Sequence, residues 1–518
     1  MHSRVAILLV SVCIIAICGL LYELLISTLT SYFQGNSVLH FSLVIGFFLS
    51  FMGVGSFLSR FIKKDLISWF IGFELLLGVV GGLSTFILYS AFAFTEYYYG
   101  IAFFIIGIIG SLIGIEIPLL TRIVRTYDSL REALSNVLSF DYLGALVASL
   151  LFPLVLLPTF GTMRTAFFVG LLNVSVAIMN TWLFRTEIPR FRQLMGACIA
   201  TSFVLIWGFI FSFQLLGFFE PLLYQDEIVY SKQSTYQKIV LTRWNEDYRL
   251  FLNGNLQFSS RDEYRYHEAL VHIPMAMSQS HEQVLILGGG DGLIAREVLK
   301  YPEIDSITLV DLDPEVTEMA TQHPMLKRLN MGAMEHPKVK VINEDAYSFV
   351  EKSQQVYDVI LIDLPDPNSP ELGKLYTAEF YGLLSKVLST GGICATQSTS
   401  PYFAPKAFWC IHRTLEEVFP RSYAYSAFVP AFGLWGFNMA QNLPINVQDS
   451  SMTESAIKQI QSVLDQRAQE LGLRFLQPAL IPSLFVFDVD TEEQPVEVNH
   501  LEDQGLIQYY EESWSQWQ

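Results

Sequence analysis

Residues 284–313 read VLILGGGDGLIAREVLKYPEIDSITLVDLD, and this stretch decides the fold of the second half of the chain. Four apolar residues lead into the glycine turn 288–292, and a helical pattern and a second apolar run ending at Asp311 follow it. This order predicts a strand, a tight turn, a helix and a parallel strand, which open a doubly wound nucleotide-binding sheet. Glycines let the backbone pass close to a ligand, and the Asp311 carboxylate can accept hydrogen bonds from ribose hydroxyls.

An acid inside the turn changes the expected ligand. Asp291 puts a carboxylate where a phosphate-binding turn is normally uncharged. Backbone N–H groups at a helix N-terminus bind anions, but a carboxylate at the same place would repel a pyrophosphate. The turn therefore favours a cationic ligand.

The composition separates the chain into two parts. Of the 518 residues, 52% are hydrophobic and only 16% are charged, which is too apolar for a purely soluble protein. Residues 1–219 hold 11 Lys+Arg and 9 Asp+Glu, so the rest carries 21 against 41. This acidic part repels nucleic acid and suits cationic ligands, although ordinary acidic solubility explains the charge equally well. The five cysteines form no disulfide or zinc pattern, and we expect no metal.

The first part contains seven apolar segments that are long enough to cross a bilayer, for which about 20 residues suffice. They span 5–32, 38–61, 66–92, 98–124, 139–160, 163–186 and 195–219. The first segment is too long for a cleaved signal peptide. The sequence thus predicts a seven-helix bundle in a lipid bilayer.

Four acids fall inside these segments: Glu23, Glu74, Glu116 and Asp141. Carboxylates are costly in hydrocarbon and therefore face the bundle interior or a watery cavity. One interpretation is a path or site for a cation. The other is that they are protonated and form hydrogen bonds between helices.

The second part begins with short alternating segments. TYQKIVLTRW and YRLFLNGNLQF predict antiparallel strands, with Asn253 and Gly254 forming a hairpin turn. A helical pattern over 261–275 precedes the parallel sheet, and a helix near 453–471 precedes an aromatic, acidic tail. We therefore predict four regions: a transmembrane domain (1–219), a β-hairpin subdomain (220–275), a nucleotide-binding-type domain (276–445) and a C-terminal helical and acidic extension (446–518).

Acidic side chains follow the predicted parallel strands where each strand ends. They are Asp291, Asp311, Asp345, Asp363 and Asp366. Ligands of α/β sheets bind at this edge, so we expect the five to converge on one crevice. Paired carboxylates can hold an ammonium group and accept its proton, which an alkyl amine of pKa near 10.4 must lose before it attacks. Any one of them alone could equally be a capping or loop residue.

Several motifs together resemble the spermidine synthase family of aminopropyltransferases: TYQKIVL, GGGDG, RDEYRYHEAL, LVDLDPEV, NEDA and DLPDPNSPELGKLYTAEFY. The apolar motifs GIEIPLLTR and DYLGALVASLLFP resemble the branch of that family with an N-terminal multi-pass membrane domain. The resemblance implies a small β-subdomain followed by a Rossmann-like, methyltransferase-type sheet. It also implies transfer of an aminopropyl group from decarboxylated S-adenosylmethionine to putrescine, giving spermidine and methylthioadenosine, with no permanently bound cofactor.

The resemblance also implies roles for individual residues. Asp363 would accept the proton, and Tyr266 would help to position the attacking nitrogen. The nucleoside donor would be bound by Gln237, Gly288, Gly289, Asp291, Asp311, Asp345, Ala346 and Pro370. The amine would be bound by His267, Asp291, Asp366 and Gln397. We expect a homodimer.

Two positions depart from the family pattern. Leu293 replaces the last glycine of GGGDGG, and Phe432 in VPAFGLWGF stands where the amine pocket often has a tyrosine. The second change leaves open an amine other than putrescine. Two other functions also remain open: an S-adenosylmethionine-dependent amine methyltransferase, and a polyamine transporter or sensor whose soluble domain only binds. Asp291 favours the decarboxylated donor because it would repel a donor carboxylate.

The basic residues of the short loops predict the orientation in the membrane. Ten lie on one side of a seven-span bundle: Arg4, Arg60, Lys63, Lys64, Arg122, Arg125, Arg131, Arg185, Arg190 and Arg192. The other side has only Arg164. The positive-inside rule then puts the N-terminus in the cytoplasm and the catalytic domain outside. A cytosolic donor argues for the opposite side, which would require one segment of the 139–186 hairpin, joined by residues 158–161, not to cross.

Overall fold

The two apolar runs on either side of the glycine turn form inner strands of a seven-stranded sheet in the structure, which is a computed structural model of the chain. The structure describes residues 2–34, 37–127, 129–224, 226–443 and 452–517. The chain divides into two compact units, Met1–Thr242 and Arg243–Gln518. The predicted boundary between residues 445 and 446 lies outside the described residues.

Long apolar helices make up most of the first unit. They are α1 (His2–Gln34), α2 (Ser37–Leu58), α3 (Leu66–Phe94), α4 (Tyr98–Val124), α5 (Leu130–Leu151), α6 (Leu157–Leu183) and α7 (Phe191–Tyr224). Within the described residues, six stretches of helix are long and apolar enough to cross a membrane, because α5 and α6 form one continuous run, Leu130–Leu183. Helix α7 continues five residues past the predicted end at 219, since hydropathy marks the apolar stretch and not the end of the helix.

The run from α5 to α6 changes direction. A π-helical turn, Phe152–Leu156, joins the two helices, and Gly161 has a φ of +67° and a ψ of −173°, which is not helical. Both helices pack against α1: a Cβ on Gly144 of α5 would lie 2.4 Å from the Cys13 carbonyl oxygen, and Asn180 Nδ2 of α6 donates to Ser11 Oγ at 2.8 Å. The chain therefore returns along α1 after Gly161.

The four acids of the predicted spans differ in their burial. Glu74 and Glu116 are fully buried, and their carboxylate oxygens have no hydrogen-bond partner outside the pair in the described part of the chain. Glu23 and Asp141 are half-buried. Both interpretations of these acids, a cation path and hydrogen bonding between helices, are compatible with this burial.

Short strands follow the helices. They are β1 (Glu227–Gln233), β2 (Lys238–Trp244), β3 (Asp247–Leu252) and β4 (Asn255–Ser259). Strands β3 and β4 pair antiparallel, with Leu252 opposite Asn255, so Asn253 and Gly254 form the predicted two-residue turn. Both turn residues have positive φ angles, +49° and +82°, as such a hairpin requires.

The second unit is built on the predicted parallel sheet. Its strands are β5 (Gln283–Gly288), β6 (Ser306–Asp311), β7 (Val339–Asn343), β8 (Tyr357–Asp363), β9 (Leu388–Gln397), β10 (Arg421–Val429) and β11 (Gly433–Gln441). The order across the sheet is β10-β11-β9-β8-β5-β6-β7. Strands β5 to β9 run parallel, and β11 runs antiparallel to both of its neighbours, β9 and β10. Strand order reverses between β5 and β8, and such a switch point opens a crevice for ligands.

Helices cover both faces of the sheet. They are α8 (Glu263–Met277), α9 (Leu293–Val298), α10 (Pro314–Gln322), α11 (Pro324–Leu329), α12 (Ala346–Lys352), α13 (Pro370–Gly373), α14 (Ala378–Val387), α15 (Pro405–Val418), α16 (Met452–Arg467), α17 (Ile481–Leu484) and α18 (Gly505–Trp514). Side chains of β5 alternate between two cores: Val284 and Ile286 join one, and Leu285 and Leu287 join the other. Helix α16 confirms the predicted C-terminal helix near 453–471.

Candidate active site

The glycine turn after β5 brings the backbone of two strands together. Gly288 has a φ of +81° and pairs with Asp363 of β8, and a Cβ on Gly288 would lie 2.0 Å from the Asp363 carbonyl oxygen. Only glycine fits this position. The next residues hold the end of β6, because Gly290 N–H donates to Asp311 Oδ2 at 3.0 Å.

The Asp311 carboxylate is held at the end of β6 by backbone donors. Its Oδ1 accepts from the N–H of Asp313 at 2.9 Å, in addition to the bond from Gly290. Burial raises the pKa of Asp311 to about 6, because these hydrogen bonds only partly offset the loss of water.

Asp363 and Tyr266 form the centre of the crevice. The Tyr266 hydroxyl donates to Asp363 Oδ1. Burial raises the pKa of Asp363, the negative charge of Asp291 adds to the increase, and the resulting value is about 6. Asp291 also accepts the N–H of Leu293, the first residue of α9, at 2.9 Å. A carboxyl group of raised pKa beside a second carboxylate is a suitable proton acceptor.

Helix α8 supplies His267 to the same crevice. His267 Nδ1 lies 2.7 Å from the Glu263 carbonyl oxygen and 2.8 Å from Glu263 Oε2. With two acceptors, Nδ1 carries a proton, and Nε2 remains for a ligand. Burial lowers the pKa of His267, but the hydrogen bond and charge of Glu263 outweigh burial and raise the pKa above its usual value.

Arg296 fixes the orientation of Glu263. Its two terminal nitrogens donate to the two Glu263 oxygens at 2.9 and 2.8 Å, which is a bidentate pair. Burial raises the pKa of Glu263, but His267 and Arg296 lower it to about 2. Glu263 therefore stays charged and keeps the imidazole in one orientation.

Asp366 lies beyond β8 among neutral donors. Its Oδ1 accepts from Gln397 Nε2 at 3.3 Å, and its Oδ2 accepts from Thr399 Oγ1 at 3.4 Å and from the Tyr510 hydroxyl at 2.9 Å. Burial raises the pKa of Asp366 to about 6.

Gln397, predicted to bind the amine, braces the loop that carries Asp366. Its Nε2 also lies 2.6 Å from the Leu364 carbonyl oxygen and 2.8 Å from the Tyr376 hydroxyl, and its Oε1 accepts the Thr399 N–H. Thr399 has a φ of +55°, a strained conformation for a β-branched residue. The strained residue, Thr399, is itself one of the hydrogen-bond donors to Asp366.

Asp345 differs from the other acids in having a lysine partner. Its Oδ1 accepts the Ser348 N–H at the start of α12, next to the buried Ala346. Its Oδ2 pairs with Lys374 Nζ at 2.9 Å, and although burial opposes the effect, Lys374 lowers the pKa of Asp345. Pro370 is the first residue of α13, four residues before Lys374. Asp345 is thus linked to the segment that begins at Pro370.

Gln237 belongs to the first compact unit. It lies just before β2, and its carbonyl oxygen accepts the Ser234 N–H at 2.8 Å. Its predicted role toward the donor stays a prediction.

The crevice is negatively charged. Among the described residues, Asp291, Asp311, Asp363 and Asp366 form no ion pair with a Lys or Arg side chain, whereas Asp345 does. Carboxylates that are partly shielded from water and lack a Lys or Arg partner bind a cation favourably, because the cation supplies the missing charge. The geometry therefore fits a cationic ligand at the crevice.

Sequence reasoning missed three groups at this site. Glu263 and Arg296 orient His267, and the only signal was their place in RDEYRYHEAL and in the helix after the glycine turn. Tyr510 reaches Asp366 from 144 residues away in sequence. Its signal was weak, because an aromatic tail does not specify its partner.

Fold and site together define a transferase-type Rossmann sheet with an acidic ligand crevice. Residues 263–449 match the family described as "Spermine/spermidine synthase domain". The chain is 43% identical over 508 residues to the "Polyamine aminopropyltransferase" of Leptospira interrogans serogroup Icterohaemorrhagiae serovar copenhageni, covering 98% of each chain. It is 41% identical to "Polyamine aminopropyltransferase 2" of Ralstonia nicotianae, covering 99% of each. The chain belongs to the polyamine aminopropyltransferase family.

A solved structure is also similar. The "Crystal Structure of Spermidine Synthase from Thermotoga Maritima" has 26% sequence identity and a TM-score of 0.44, and the match covers 51% of this chain and 85% of that one.

Proposed function

We propose that this protein transfers the aminopropyl group of decarboxylated S-adenosylmethionine to putrescine or a related amine, giving spermidine and methylthioadenosine. The observation that carries the proposal is the pair of carboxyl groups, Asp363 and Asp366, which are half-buried, have raised pKa values and, among the described residues, form no ion pair with a Lys or Arg side chain. Membership of the polyamine aminopropyltransferase family supports it.

The reaction is a direct displacement at carbon. Asp366 receives the distal ammonium of the diamine, and Asp363 takes a proton from the near ammonium. The neutral nitrogen attacks the carbon bonded to the sulfonium, so an N–C bond forms while the C–S bond breaks and its electron pair moves to sulfur. The products are a secondary ammonium and neutral methylthioadenosine. Sulfonium is already a good leaving group, so positioning and deprotonation are the main contributions of the site.

The proton transfer needs help from the site. An ordinary ammonium of pKa near 10.4 holds its proton against a carboxylate of pKa about 6 by roughly 6 kcal/mol. Burial and the neighbouring sulfonium charge both disfavour a second cation and lower the pKa of the amine. Tyr266 keeps Asp363 in place for the transfer through its hydrogen bond. His267 has its Nε2 available for the amine. The negative charge of Asp291 contributes to the raised pKa of this imidazole.

The donor lies along the carboxyl ends of β5 to β7. Gly288 and Gly289 allow close approach, Asp311 accepts from the ribose, and Asp345 with Ala346 contacts the adenine. Pro370 lies near the adenine. Asp345 also pairs with Lys374, so its position is linked to the segment after Pro370.

The test is product identity. Purified full-length protein is incubated with S-adenosylmethionine or its decarboxylated form and a panel of amines, and the products are identified by mass spectrometry. Aminopropylated amine with methylthioadenosine supports the proposal. Methylated amine with S-adenosylhomocysteine would instead identify a methyltransferase, and binding without any product would favour a transporter or sensor.

The first unit crosses the membrane seven times in this proposal. Gly144 and Asn180 both contact residues 11–13 of α1, although a straight helix would separate them by roughly 54 Å. This favours two crossings over Leu130–Leu183, with the reversal near Gly161. Residues 1–219 are then the membrane domain, and 220–275, 276–445 and 446–518 are the regions that follow it.

The catalytic unit lies outside the cytoplasm in this proposal. Arg4 pairs with Glu187 at 2.8 Å, and Arg122 donates to the carbonyl oxygens of Ile62 and Ser59 at 2.8 and 2.9 Å. These contacts support the placement of the N-terminus and of every second loop at the same end of the helical bundle. That end carries most of the basic residues, so the positive-inside rule makes it the cytoplasmic end. We also propose a homodimer, which mass measurement of the detergent-solubilised protein tests.

A further inference from the structure

The last helix of the chain is built into the catalytic unit beside the Asp366 loop. Asn499, which is buried, donates from Nδ2 to the Tyr376 carbonyl oxygen at 3.1 Å and accepts the Leu506 N–H on Oδ1 at 3.2 Å. A Cβ on Gly373 would lie 2.9 Å from the side chain of Ile507, so helix and loop are in close contact. The helix therefore has a defined position relative to residues 373–376.

One face of α18 reaches the site. Leu506, Tyr510 and Trp514 are spaced by four residues and share that face. Leu506 is fully buried in a core of the sheet, and Trp514 stacks on Phe403 with ring centroids 5.6 Å apart. Tyr510 lies between these two anchors, and its hydroxyl makes the shortest hydrogen bond to Asp366, at 2.9 Å.

We propose that Tyr510 is a positioning and specificity residue of the amine site, and that α18 completes that site by holding the Asp366 carboxylate in place for the distal ammonium of the amine. This inference rests on the proposed function. Tyr510 lies outside the matched domain, residues 263–449, so the C-terminal extension supplies part of the site.

The chemistry of a phenol suits this role. A Lys or Arg at this position would neutralise Asp366 and compete with the incoming ammonium. A phenol O–H stabilises the carboxylate by a hydrogen bond but leaves its charge for the ligand. Phe432, whose ring lies 6.3 Å from that of Tyr266, borders the crevice without a hydroxyl. Among the described residues, the hydroxyl donors to Asp366 are Tyr510 and Thr399.

The test compares Tyr510→Phe with Tyr509→Phe, a neighbouring loss of a hydroxyl on the same helix. We expect Tyr510→Phe to raise the KM for the amine about 10-fold, because a hydrogen bond to a charged group is lost. The KM for the donor and the melting temperature should stay at the parent values, since the ring and its packing are kept. Tyr509→Phe should match the parent enzyme.

A pH profile separates this role from a structural one. The phenol lowers the pKa of Asp366, so its removal raises that pKa and moves the acid limb of kcat/KM for the amine to higher pH. An unchanged limb and an unchanged amine KM in Tyr510→Phe would overturn the inference, and so would an equal rise in both KM values. If the parent enzyme aminopropylates no amine, the proposed function fails instead, before any variant is compared.

Discussion

Asp363 ends β8 with its carboxyl group facing Tyr266 and Asp291, and its role is tested by removing only its charge. We expect Asp363→Asn to lower kcat by about 10²-fold or more, the scale of a lost general base, while donor binding survives. Release of methylthioadenosine measures the rate. Asp358→Asn, at the other end of the same strand, is the matched control because Asp358 accepts hydrogen bonds from Ser280, Gln283 and Ser389 and not from Tyr266. Equal rates for Asp363→Asn and the parent would show that another group accepts the proton.

The pH dependence follows from the raised pKa values of the crevice. Asp363 and Asp366 both have a pKa of about 6, so both are ionised above that pH and protonated below it. Activity needs both carboxylates, and we expect kcat/KM for the amine to fall more steeply than tenfold per pH unit below about 6. Initial rates measured between about pH 5 and 8 give the slope, because this range includes the pKa of both carboxyl groups. If kcat/KM falls only tenfold per pH unit, only one of the two carboxyl groups controls activity.

At the scale of elements, the contact between β5 and β8 sets the position of Asp363. Gly288 has a positive φ, and an added Cβ would meet the Asp363 backbone, whereas Gly332 has a φ of +72° and nothing within 4 Å. Alanine at a positive φ costs about 1–2 kcal/mol on its own. We therefore expect Gly332→Ala to lower the melting temperature slightly with parent kcat. Gly288→Ala should lower both, with kcat at least tenfold down in protein that remains folded. Parent activity and melting temperature in Gly288→Ala would contradict the close contact.

At the scale of the whole molecule, the proposed seven crossings and the proposed cytoplasmic position of the basic loops together predict an external catalytic unit. Ser462 is exposed on α16, and Ser129 is exposed in the loop between α4 and α5. Treating intact cells with an impermeant thiol reagent should label Ser462→Cys and spare Ser129→Cys, which should react only after lysis. The native cysteines give little background, since four are buried and Cys13 is half-buried in α1. The reverse labelling pattern would return the enzyme to the cytoplasm.

Local patterns in the sequence were enough for the elements. The apolar run 284–287 forms an inner strand, β5, because its alternate side chains enter two cores. The Asn253-Gly254 turn followed from two residues that tolerate positive φ. The acids at strand ends were predicted to meet, and Asp311, Asp291 and Asp363 do interact, because parallel strands end at one edge. The apolar segments likewise identified the helices, although a hydropathy pattern could not specify where α7 ends.

Only the tertiary structure decided which distant groups face each other. The spacing of Leu506, Tyr510 and Trp514 determines one face of a helix but says nothing of its partner, which is Asp366. The sequence likewise does not show that Arg296 pairs with Glu263 or that Lys374 pairs with Asp345. Periodicity and turn chemistry depend on a few neighbouring residues, so the elements that they determine can be predicted from the sequence. Side-chain pairs between separate elements depend on how those elements pack, and packing is a property of the whole fold.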